Sequence, residues 1–573
     1  MIAAQRARAR SQLTACWSCL GVALAALGSG CQADISGGDG SMPPASITTS
    51  SGGGSGASPG GVPPTCTGPQ PGPSPLRRLT HREYDNTVRD LLGDDSHPSA
   101  PFSREDVFLG FDNSATARGT TTLLAEQYSQ AAEQLAAKAV QNLSALTGCN
   151  AADTSRDACA RSFIERFGAK AFRGPLTDAE RTRFGNLYGS ASQAWGFSKG
   201  IELTLAALLQ SSRFLYRVEF GTPSATPGVN LLTPFELAAR LSYLLWGSLP
   251  DQALLDAAGA GQLSTREQIA SQARRLLADT RAHYVLNDFH RQWLALDAID
   301  TFDSTMPGFS NDLRPLLHEE AQRTVEATLF EGDGKLKTLL TAPFSFLNAP
   351  LAAFYGLSGP TTDAFEKVPL DAASQRIGIL TQGGILAAHS HAAKTSPVLR
   401  GKFVREQLLC NPPPPPPPGV DFTVSEKDAS LTVRQQSEQH RADPACAACH
   451  RFMDPIGLSF EAFDAVGRLR ARENDAPVVT TGELIGTDVD GAVSGPAELA
   501  QKLAGSQQVS SCFVRQWFRY AYGRDPINDR DACGITALEN AFAQSDGTIS
   551  ELLFALTQTD AFQYRSVAAG EMP

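Results

Sequence analysis

The chain has 573 residues, of which 42% are hydrophobic, and its formal net charge is −11. A chain of this length predicts roughly three to five domains, with enough apolar residues to fill several cores. Because the charge is acidic and no basic run interrupts it, the composition argues against binding to nucleic acid or to anionic lipid.

The first thirty residues are typical of an export signal. Arg6, Arg8 and Arg10 precede an apolar stretch at residues 13–27, which is too short for an ordinary membrane-spanning helix. Cys31 follows small residues in the manner of a bacterial lipoprotein cleavage site. We therefore predict that Cys31 is lipidated and that the product is an outer-membrane lipoprotein. Ordinary signal cleavage, which would give a periplasmic protein, is the alternative.

The next segment, residues 31–75, is rich in Gly, Ser and Pro and has no periodic apolar positions, so it predicts a disordered tether. Helix signals begin after it. Three capping boxes start at Thr80, Thr177 and Thr233, each with Glu three residues later. A fourth helix start is predicted at Ser264 with Glu267. Further helices are predicted near residues 313–329, 375–388, 400–409, 497–503, 512–522 and 548–557.

Strand patterns are scarce, with one short extended piece predicted near residues 478–484. A run of prolines at residues 412–418 predicts a stiff polyproline segment that leads to the following module. The expected fold is mainly α, a series of consecutive helical modules after the disordered tether. The predicted boundaries are 1–30 for the signal peptide, 31–75 for the tether, 76–148, 149–225 and 230–360 for three helical modules, 375–475 for the penultimate module and 495–566 for the last helical module.

Cysteine usage fits an exported protein. Eight cysteines follow the signal region, and export to an oxidising compartment permits disulfides. Proximity in sequence favours two pairs, Cys149 with Cys159 and Cys512 with Cys533.

The strongest chemical signal is the sequence Cys446-Ala447-Ala448-Cys449-His450. On a helical turn, the thiols of Cys446 and Cys449 can each form a thioether with a porphyrin vinyl group, and His450 then points its imidazole at the iron. The pattern therefore predicts covalent haem c, with His450 as the proximal iron ligand. A local disulfide, a zinc knuckle that would need two more ligands, and a thioredoxin-like redox pair are the alternatives.

The sixth iron ligand is not fixed by the sequence. Met453 lies three residues after His450 and shares its helix face, so it favours packing at the haem edge over coordination. His440 is a candidate distal ligand. An open sixth position is equally compatible, and it would favour peroxide or oxygen chemistry over pure electron transfer.

Several nearby residues are expected to support the haem. Asp454 is expected to cap a following helix, and a backbone carbonyl near Pro455 to orient the His450 ring. Arg400 is a candidate partner for a haem propionate, because its guanidinium matches carboxylate geometry. The expected walls of the haem pocket are Phe452, Phe460 and Phe463.

Two other groups of polar residues are weaker candidates. The triplet at residues 318–320, His-Glu-Glu, lacks the second His of a zinc-protease helix and predicts a solvated helix face. His389 and His391, with Lys394, could supply a metal or haem ligand, although a polar turn is the simpler interpretation.

Residues 446–468, CAACHRFMDPIGLSFEAFDAVGR, resemble the haem-type segment of a bacterial family of large exported proteins, the domain of unknown function 1592 proteins with their companion modules. The resemblance implies an exported, modular, helix-rich protein whose penultimate module, at residues 375–475, is a haem-binding cytochrome-c-like module, and it supplies no established reaction. Further segments resemble the family's other modules: residues 76–93, 159–221, 232–356, 375–470 and 499–562.

These patterns lead to one functional expectation and two alternatives. We expect an exported c-type haem protein that transfers electrons to a redox partner protein or a small-molecule substrate, with membrane contact through Cys31 if that residue is lipidated. A haem-dependent peroxidase or oxidase is the first alternative. The second is a non-enzymatic surface-binding or scaffold lipoprotein whose haem is structural.

Overall fold

The computed structural model describes residues 66–115, 119–150, 152, 154–414 and 430–567, apart from the side chains of Asn528 and Asp529. The described chain is mainly helical, which confirms the expected fold class. Its strands are two to four residues long and pair antiparallel. Within these ranges, no helix combines the length and the apolar character that a membrane span requires. Cys31, the signal segment and the tether up to residue 65 lie outside the described residues.

The N-terminal helices pack around an aromatic core. Tyr84, Phe102 and Tyr128 meet in this core with ring centroids 5.0 to 5.6 Å apart. The predicted capping boxes at Thr80 and Thr177 are both formed, so local sequence fixes where these helices begin. The elements are β1 (Arg77–Arg78), α1 (His81–Leu92), α2 (Thr122–Ala139), α3 (Leu143–Thr147), α4 (Arg156–Ala171), α5 (Asp178–Trp195), α6 (Phe197–Leu209), α7 (Ser212–Leu215) and β2 (Tyr216–Arg217), which pairs with β1.

The middle of the chain contributes the first part of the large hydrophobic core. Trp246, Phe289 and Trp293 are almost fully buried there. The capping box at Thr233 is formed, with Pro234 in the first turn. The elements are β3 (Thr222–Pro223), β4 (Val229–Leu231), α8 (Pro234–Trp246), α9 (Gln252–Gly259), α10 (Arg266–Leu277), α11 (Ala282–Trp293), α12 (Leu313–Glu326), a π turn (Ala327–Glu331), α13 (Leu336–Thr341), β5 (Phe344–Leu347), α14 (Ala349–Tyr355) and β6 (Glu366–Pro369).

The C-terminal third packs onto the same core and closes it. Phe513 and Trp517 contact Phe289 of α11, and the last strand pairs with β4. The elements are α15 (Gly383–Ala388), α16 (Pro397–Phe403), a π turn (Val404–Leu408), α17 (Val433–Arg441), α18 (Pro444–Leu458), β7 (Arg472–Glu473), β8 (Ala476–Pro477), β9 (Gly482–Leu484), β10 (Gly491–Val493), α19 (Pro496–Ala504), α20 (Gln507–Tyr522), α21 (Asn528–Gln544), α22 (Ile549–Leu556), α23 (Asp560–Gln563) and β11 (Tyr564–Ser566).

Two predicted helices need correction. The helix α10 is capped by Thr265 with Gln268, one residue later than predicted. The continuous helix predicted for residues 375–388 is wrong, because only Gly383–Ala388 is α-helical there. The break occurs at Gly378, which has a positive φ of 54° and packs so closely that a Cβ would meet the Leu340 carbonyl oxygen at 2.0 Å. Tertiary packing therefore overrides the local helical pattern.

The disulfides tie distant parts of the chain together. The predicted pair Cys149–Cys159 is confirmed. The predicted pair Cys512–Cys533 is wrong: Cys512 bonds to Cys410, and Cys533 bonds to Cys66, 467 residues away in sequence. Cys512 faces the segment after α16, since its Sγ lies 3.4 Å from the Gln407 carbonyl oxygen. Sequence proximity therefore misled the prediction where the partners come from other modules.

Candidate functional site

The Cys-x-x-Cys-His motif lies in the first half of helix α18. Asp443 caps this helix, with its carboxylate accepting a hydrogen bond from the Ala445 N–H at 2.8 Å. Pro444 occupies the first turn, where its missing N–H costs nothing. This start places Cys446, Cys449 and His450 within about one and a half turns of regular helix, as the motif predicted.

The two cysteines of the motif keep free thiols. Six of the described cysteines form three disulfides, whereas Cys446 and Cys449 are unbonded and partly exposed. The Sγ of Cys449 lies 3.2 Å from the Pro414 carbonyl oxygen, at the end of the segment that leads into the motif. The local Cys446–Cys449 disulfide is thus not formed, and both thiols remain available for chemistry.

A buried carboxylate fixes the ring of His450. The Nδ1 of His450 donates to Oδ1 of Asp454 at 2.9 Å, four residues further along α18. This hydrogen bond leaves Nε2 as the ring nitrogen that can coordinate a metal. The side chain of Asp454 is only 1% exposed, and its Oδ2 accepts from Ser437 Oγ at 2.5 Å. Arg441 Nε stands 4.0 Å from the same Oδ2.

This arrangement corrects two expectations about Asp454 and Pro455. Asp454 does not cap a following helix, because α18 continues through Pro455 to Leu458. The group that orients His450 is the Asp454 carboxylate. The Pro455 carbonyl instead accepts a hydrogen bond from Ser459 Oγ at 3.4 Å. The i, i+4 spacing of His450 and Asp454 could have predicted the contact, since such residues are neighbours on a helix surface.

His440 lies too close to His450 for an iron ion to stand between the two rings. Their ring centroids are 4.4 Å apart, with the rings nearly perpendicular. If iron stood between two imidazoles, with metal–nitrogen bonds of about 2 Å, the centroids would be roughly 6 Å apart. In this arrangement His440 therefore packs against the proximal ring. Met453 is buried in the structure, consistent with packing.

Helix α18 is held against α16 by a crossing of two glycines. A Cβ at Gly401 would lie 1.9 Å from the Met453 carbonyl oxygen, and a Cβ at Gly457 would lie 1.9 Å from the Pro397 carbonyl oxygen. The two backbones are thus in direct contact on both sides of the crossing. The motif helix is consequently fixed to the rest of the chain at the turns that follow His450.

Arg400 is not placed to bind a propionate, which corrects that expectation. Its side chain is only 2% exposed, and burial lowers its pKa to about 10. It donates to the carbonyl oxygens of Phe460, Phe463 and Asp464 at 2.7 to 3.1 Å. Arg400 therefore holds the turn after α18 from inside the core.

The three phenylalanines that were expected to form the walls of the haem pocket lie in two different environments. Phe460 and Phe463 belong to the large hydrophobic core. Phe452 is partly exposed, and the guanidinium carbon of Arg405 lies 5.3 Å from its ring centroid. Of the three, only Phe452 is near the surface of the motif helix.

The two weaker groups of candidate residues have structural roles. His391 and Lys394 form an exposed turn, and His389 stacks on Phe403 with ring centroids 4.1 Å apart. The solvated face predicted around His318 is wrong at one position. Glu320 is fully buried and accepts hydrogen bonds from Ser345 and Tyr355 at 2.7 and 2.6 Å. Burial raises the pKa of the Glu320 carboxyl.

No group of three or more metal-binding side chains occurs in the described part of the chain. The zinc-knuckle alternative therefore finds no second pair of ligands among those residues. Ser437 and Arg441, both on α17, were not predicted as site residues. No sequence pattern pointed to them, because they reach Asp454 only through the packing of α17 on α18.

Comparison with protein-family models finds five matches along the chain, and each model describes a protein of unknown function. No curated protein and no solved structure matches the chain. The matches are DUF1587 at residues 77–141, DUF1595 at residues 159–219, DUF1592 at residues 232–357, DUF1588, designated PSCyt3, at residues 376–473 and DUF1585 at residues 490–562. The chain therefore belongs to the multi-module family of domain of unknown function 1592 type, and its motif helix α18 lies in the cytochrome-c-like module of that family.

Proposed function

We propose that this protein covalently binds one c-type haem through Cys446, Cys449 and His450 and transfers electrons. The observation that carries the proposal is the state of the cysteines. Six described cysteines are consumed by disulfides, while the two free thiols lie one helical turn apart beside an oriented histidine. The cytochrome-like module matched at residues 376–473 gives independent support.

The residues of the motif fit the requirements of haem attachment. Partly exposed thiols at i and i+3 of one helix can reach two vinyl groups on the same porphyrin edge. His450 keeps Nε2 for the iron because Nδ1 is bonded to Asp454. Bound haem would supply a one-electron couple, which no side chain of the motif provides. The protein's contribution is to hold the ring of His450, fix the helix and exclude water from the buried side of α18.

A second candidate is a haem-dependent peroxidase or oxidase. The position of His440 favours it, because His440 packs against His450 and does not oppose it across an iron site. If no other ligand binds, the sixth position stays open to peroxide or oxygen. The absorption spectrum of the ferric protein separates the two candidates, since a five-coordinate iron supports the enzyme and a six-coordinate iron supports electron transfer.

We further infer that the protein is exported and anchored through lipid on Cys31. The three disulfides support export, because such bonds persist in oxidising compartments and are rare in the cytosol. Metabolic labelling with a fatty acid, compared between the wild type and Cys31→Ala, tests the anchor. Loss of label in the variant supports it, and equal label overturns it.

The first test of haem attachment compares three proteins expressed with the c-type maturation machinery. Wild type should retain a haem mass after denaturation and give the pyridine haemochrome of haem c. The double variant Cys446→Ala/Cys449→Ala should lose both. The matched control Cys149→Ala/Cys159→Ala removes a disulfide whose cysteines are ten residues apart in sequence, and it should keep the haem. A wild type without covalent haem overturns the proposal.

A further inference from the structure

We propose that Asp454 is a positioning residue that holds the His450 imidazole in an electron-rich state and keeps the reduction potential of the haem low. The inference rests on the proposed haem attachment. It goes further by naming the residue that sets the redox property of the site, which neither the motif nor the family match assigns.

The hydrogen bond between the two side chains is fixed by the helix itself. His450 and Asp454 are four residues apart on α18, and Nδ1 lies 2.9 Å from Oδ1. The Asp454 side chain is 1% exposed and that of His450 is 21% exposed, so water competes little for the carboxylate. In metal sites, a carboxylate at the second ring nitrogen fixes the tautomer of a ligating histidine and raises its basicity.

The cation nearest to the Asp454 carboxylate among the described contacts does not hydrogen-bond to it. Ser437 donates one neutral hydrogen bond to Oδ2 at 2.5 Å. Arg441 Nε is 4.0 Å from Oδ2, well beyond the 2.7–2.9 Å of a charge-assisted hydrogen bond. By contrast, Asp531 elsewhere in the chain meets both terminal nitrogens of Arg524 at 2.7 and 2.9 Å. Arg441 therefore offsets part of the Asp454 charge without a hydrogen bond to the carboxylate, and Oδ1 of Asp454 stays bonded to the His450 ring.

The direction of the effect follows from electrostatics. A ring that donates to a carboxylate carries more electron density on Nε2 than one that donates to a neutral carbonyl. Such a ligand stabilises ferric iron more than ferrous iron, because ferric iron carries one more positive charge. A buried negative charge beside the ligand acts in the same direction. Both effects favour the oxidised haem and lower the potential.

The test is a potentiometric titration of purified holoprotein and three variants. Asp454→Asn keeps the size of the side chain but removes its charge. Loss of a second-sphere partner commonly changes metal binding tenfold or more. A tenfold loss of preference for ferric over ferrous iron corresponds to a potential about 60 mV higher for a one-electron couple.

The second variant should shift the potential the other way. Ser437→Ala removes a hydrogen bond from Oδ2, which leaves the carboxylate a stronger acceptor for His450, so its potential should fall. The matched control is Glu438→Gln. Glu438 lies next to Ser437 on α17, is 53% exposed and pairs with Arg434 at 3.7 Å. The substitution Glu438→Gln changes the net charge by the same amount as Asp454→Asn, but at a residue that does not hydrogen-bond to His450.

The outcomes separate the two proposals. If wild type carries no covalent haem, the proposed function fails, and this inference fails with it. If wild type carries haem and Asp454→Asn shifts the potential no more than Glu438→Gln, haem attachment stands and the role of Asp454 is overturned. If Asp454→Asn does not fold, Ser437→Ala decides: a lower potential supports the role, and an unchanged potential overturns it.

Discussion

Replacing Gly401 by Ala should loosen the packing that fixes the motif helix. A Cβ at this position would lie 1.9 Å from the Met453 carbonyl oxygen and 2.6 Å from its carbonyl carbon. Both atoms belong to the backbone of α18, so no side-chain rotation can relieve the clash. To reach 3.0 Å, the shortest separation that real Cβ atoms show, the two helices must move apart by at least about 1.1 Å.

The cost of that movement can be estimated from dispersion. A gap of 0.5–1 Å forfeits a quarter to a half of each contact's attraction, and a tightly packed crossing holds contacts comparable to those of one buried Leu. The loss is roughly 3 kcal/mol. Alanine gains about 1 kcal/mol over glycine in helix propensity, so the net destabilisation is about 2 kcal/mol.

Hydrogen exchange is the appropriate measurement, because a chain of this size need not unfold in a single step. Amide protection in α16 and α18 should fall by about thirtyfold, which corresponds to 2 kcal/mol. Gly189→Ala is the matched control: Gly189 lies inside α5 with nothing within 4 Å of an added Cβ, so Ala there should be neutral or stabilising. Unchanged protection in α16 and α18 of Gly401→Ala would refute the argument.

Three further predictions concern the core that surrounds the site. Arg400→Met should destabilise the chain by about 3–5 kcal/mol, because it leaves three buried carbonyls without their donor and removes one of the two guanidinium groups that neighbour Glu461, the other being that of Arg470. Arg400→Lys should not rescue it, since one ammonium cannot serve the same fork of acceptors; hydrogen exchange of α16 and α18 in each variant checks both statements. Burial lowers the pKa of His290 from 6.5 to about 4. Between pH 6.5 and pH 4, the His290 side chain is therefore protonated in the unfolded chain and neutral in the native chain. The free energy of opening around α11 should therefore fall by about 3 kcal/mol from pH 6.5 to pH 4. Hydrogen exchange of α11 in His290→Gln, corrected for the intrinsic exchange rate at each pH, should lack that part of the decline. Finally, Cys66→Ser should leave free Cys533 available to thiol labelling while haem loading stays at the wild-type level, because the Cys66–Cys533 bond lies outside the motif helix; a loss of haem in this variant would contradict that separation.

Local signals in the sequence were sufficient where the deciding contacts are local. The capping boxes at Thr80, Thr177 and Thr233 need only three neighbouring residues, and all three form. The start of α18 follows similarly, since Asp443 and Pro444 act within one turn. The disulfide Cys149–Cys159 spans ten residues, so proximity was a sound guide there.

The wrong predictions share a different cause, which is contact with a distant segment. Arg400 has the chemistry of a propionate partner, but its acceptors lie sixty or more residues away and are buried. Glu320 belongs to a triplet that predicts a solvated face, but Ser345 and Tyr355, from later elements, cover it and hydrogen-bond to its carboxylate. Cys512 finds Cys410, not its near neighbour Cys533. Residue type and spacing carry no information about which distant segment covers a helix face.

The same long-range contacts bear on how the proposed redox site would work. One hydrophobic core contains Phe289 from the DUF1592 region, Ile456 from the motif helix and Trp517 from the DUF1585 region. The bond Cys410–Cys512 crosses the boundary between the last two regions. The matched regions thus share one core and are not independent domains joined by linkers. A haem attached to α18 could not swing as an independent domain, because moving it would expose a shared core. Electron exchange by the proposed haem therefore requires the partner to come to the surface around Cys446 and Cys449, and it is that surface, not a hinge, that mutagenesis should probe.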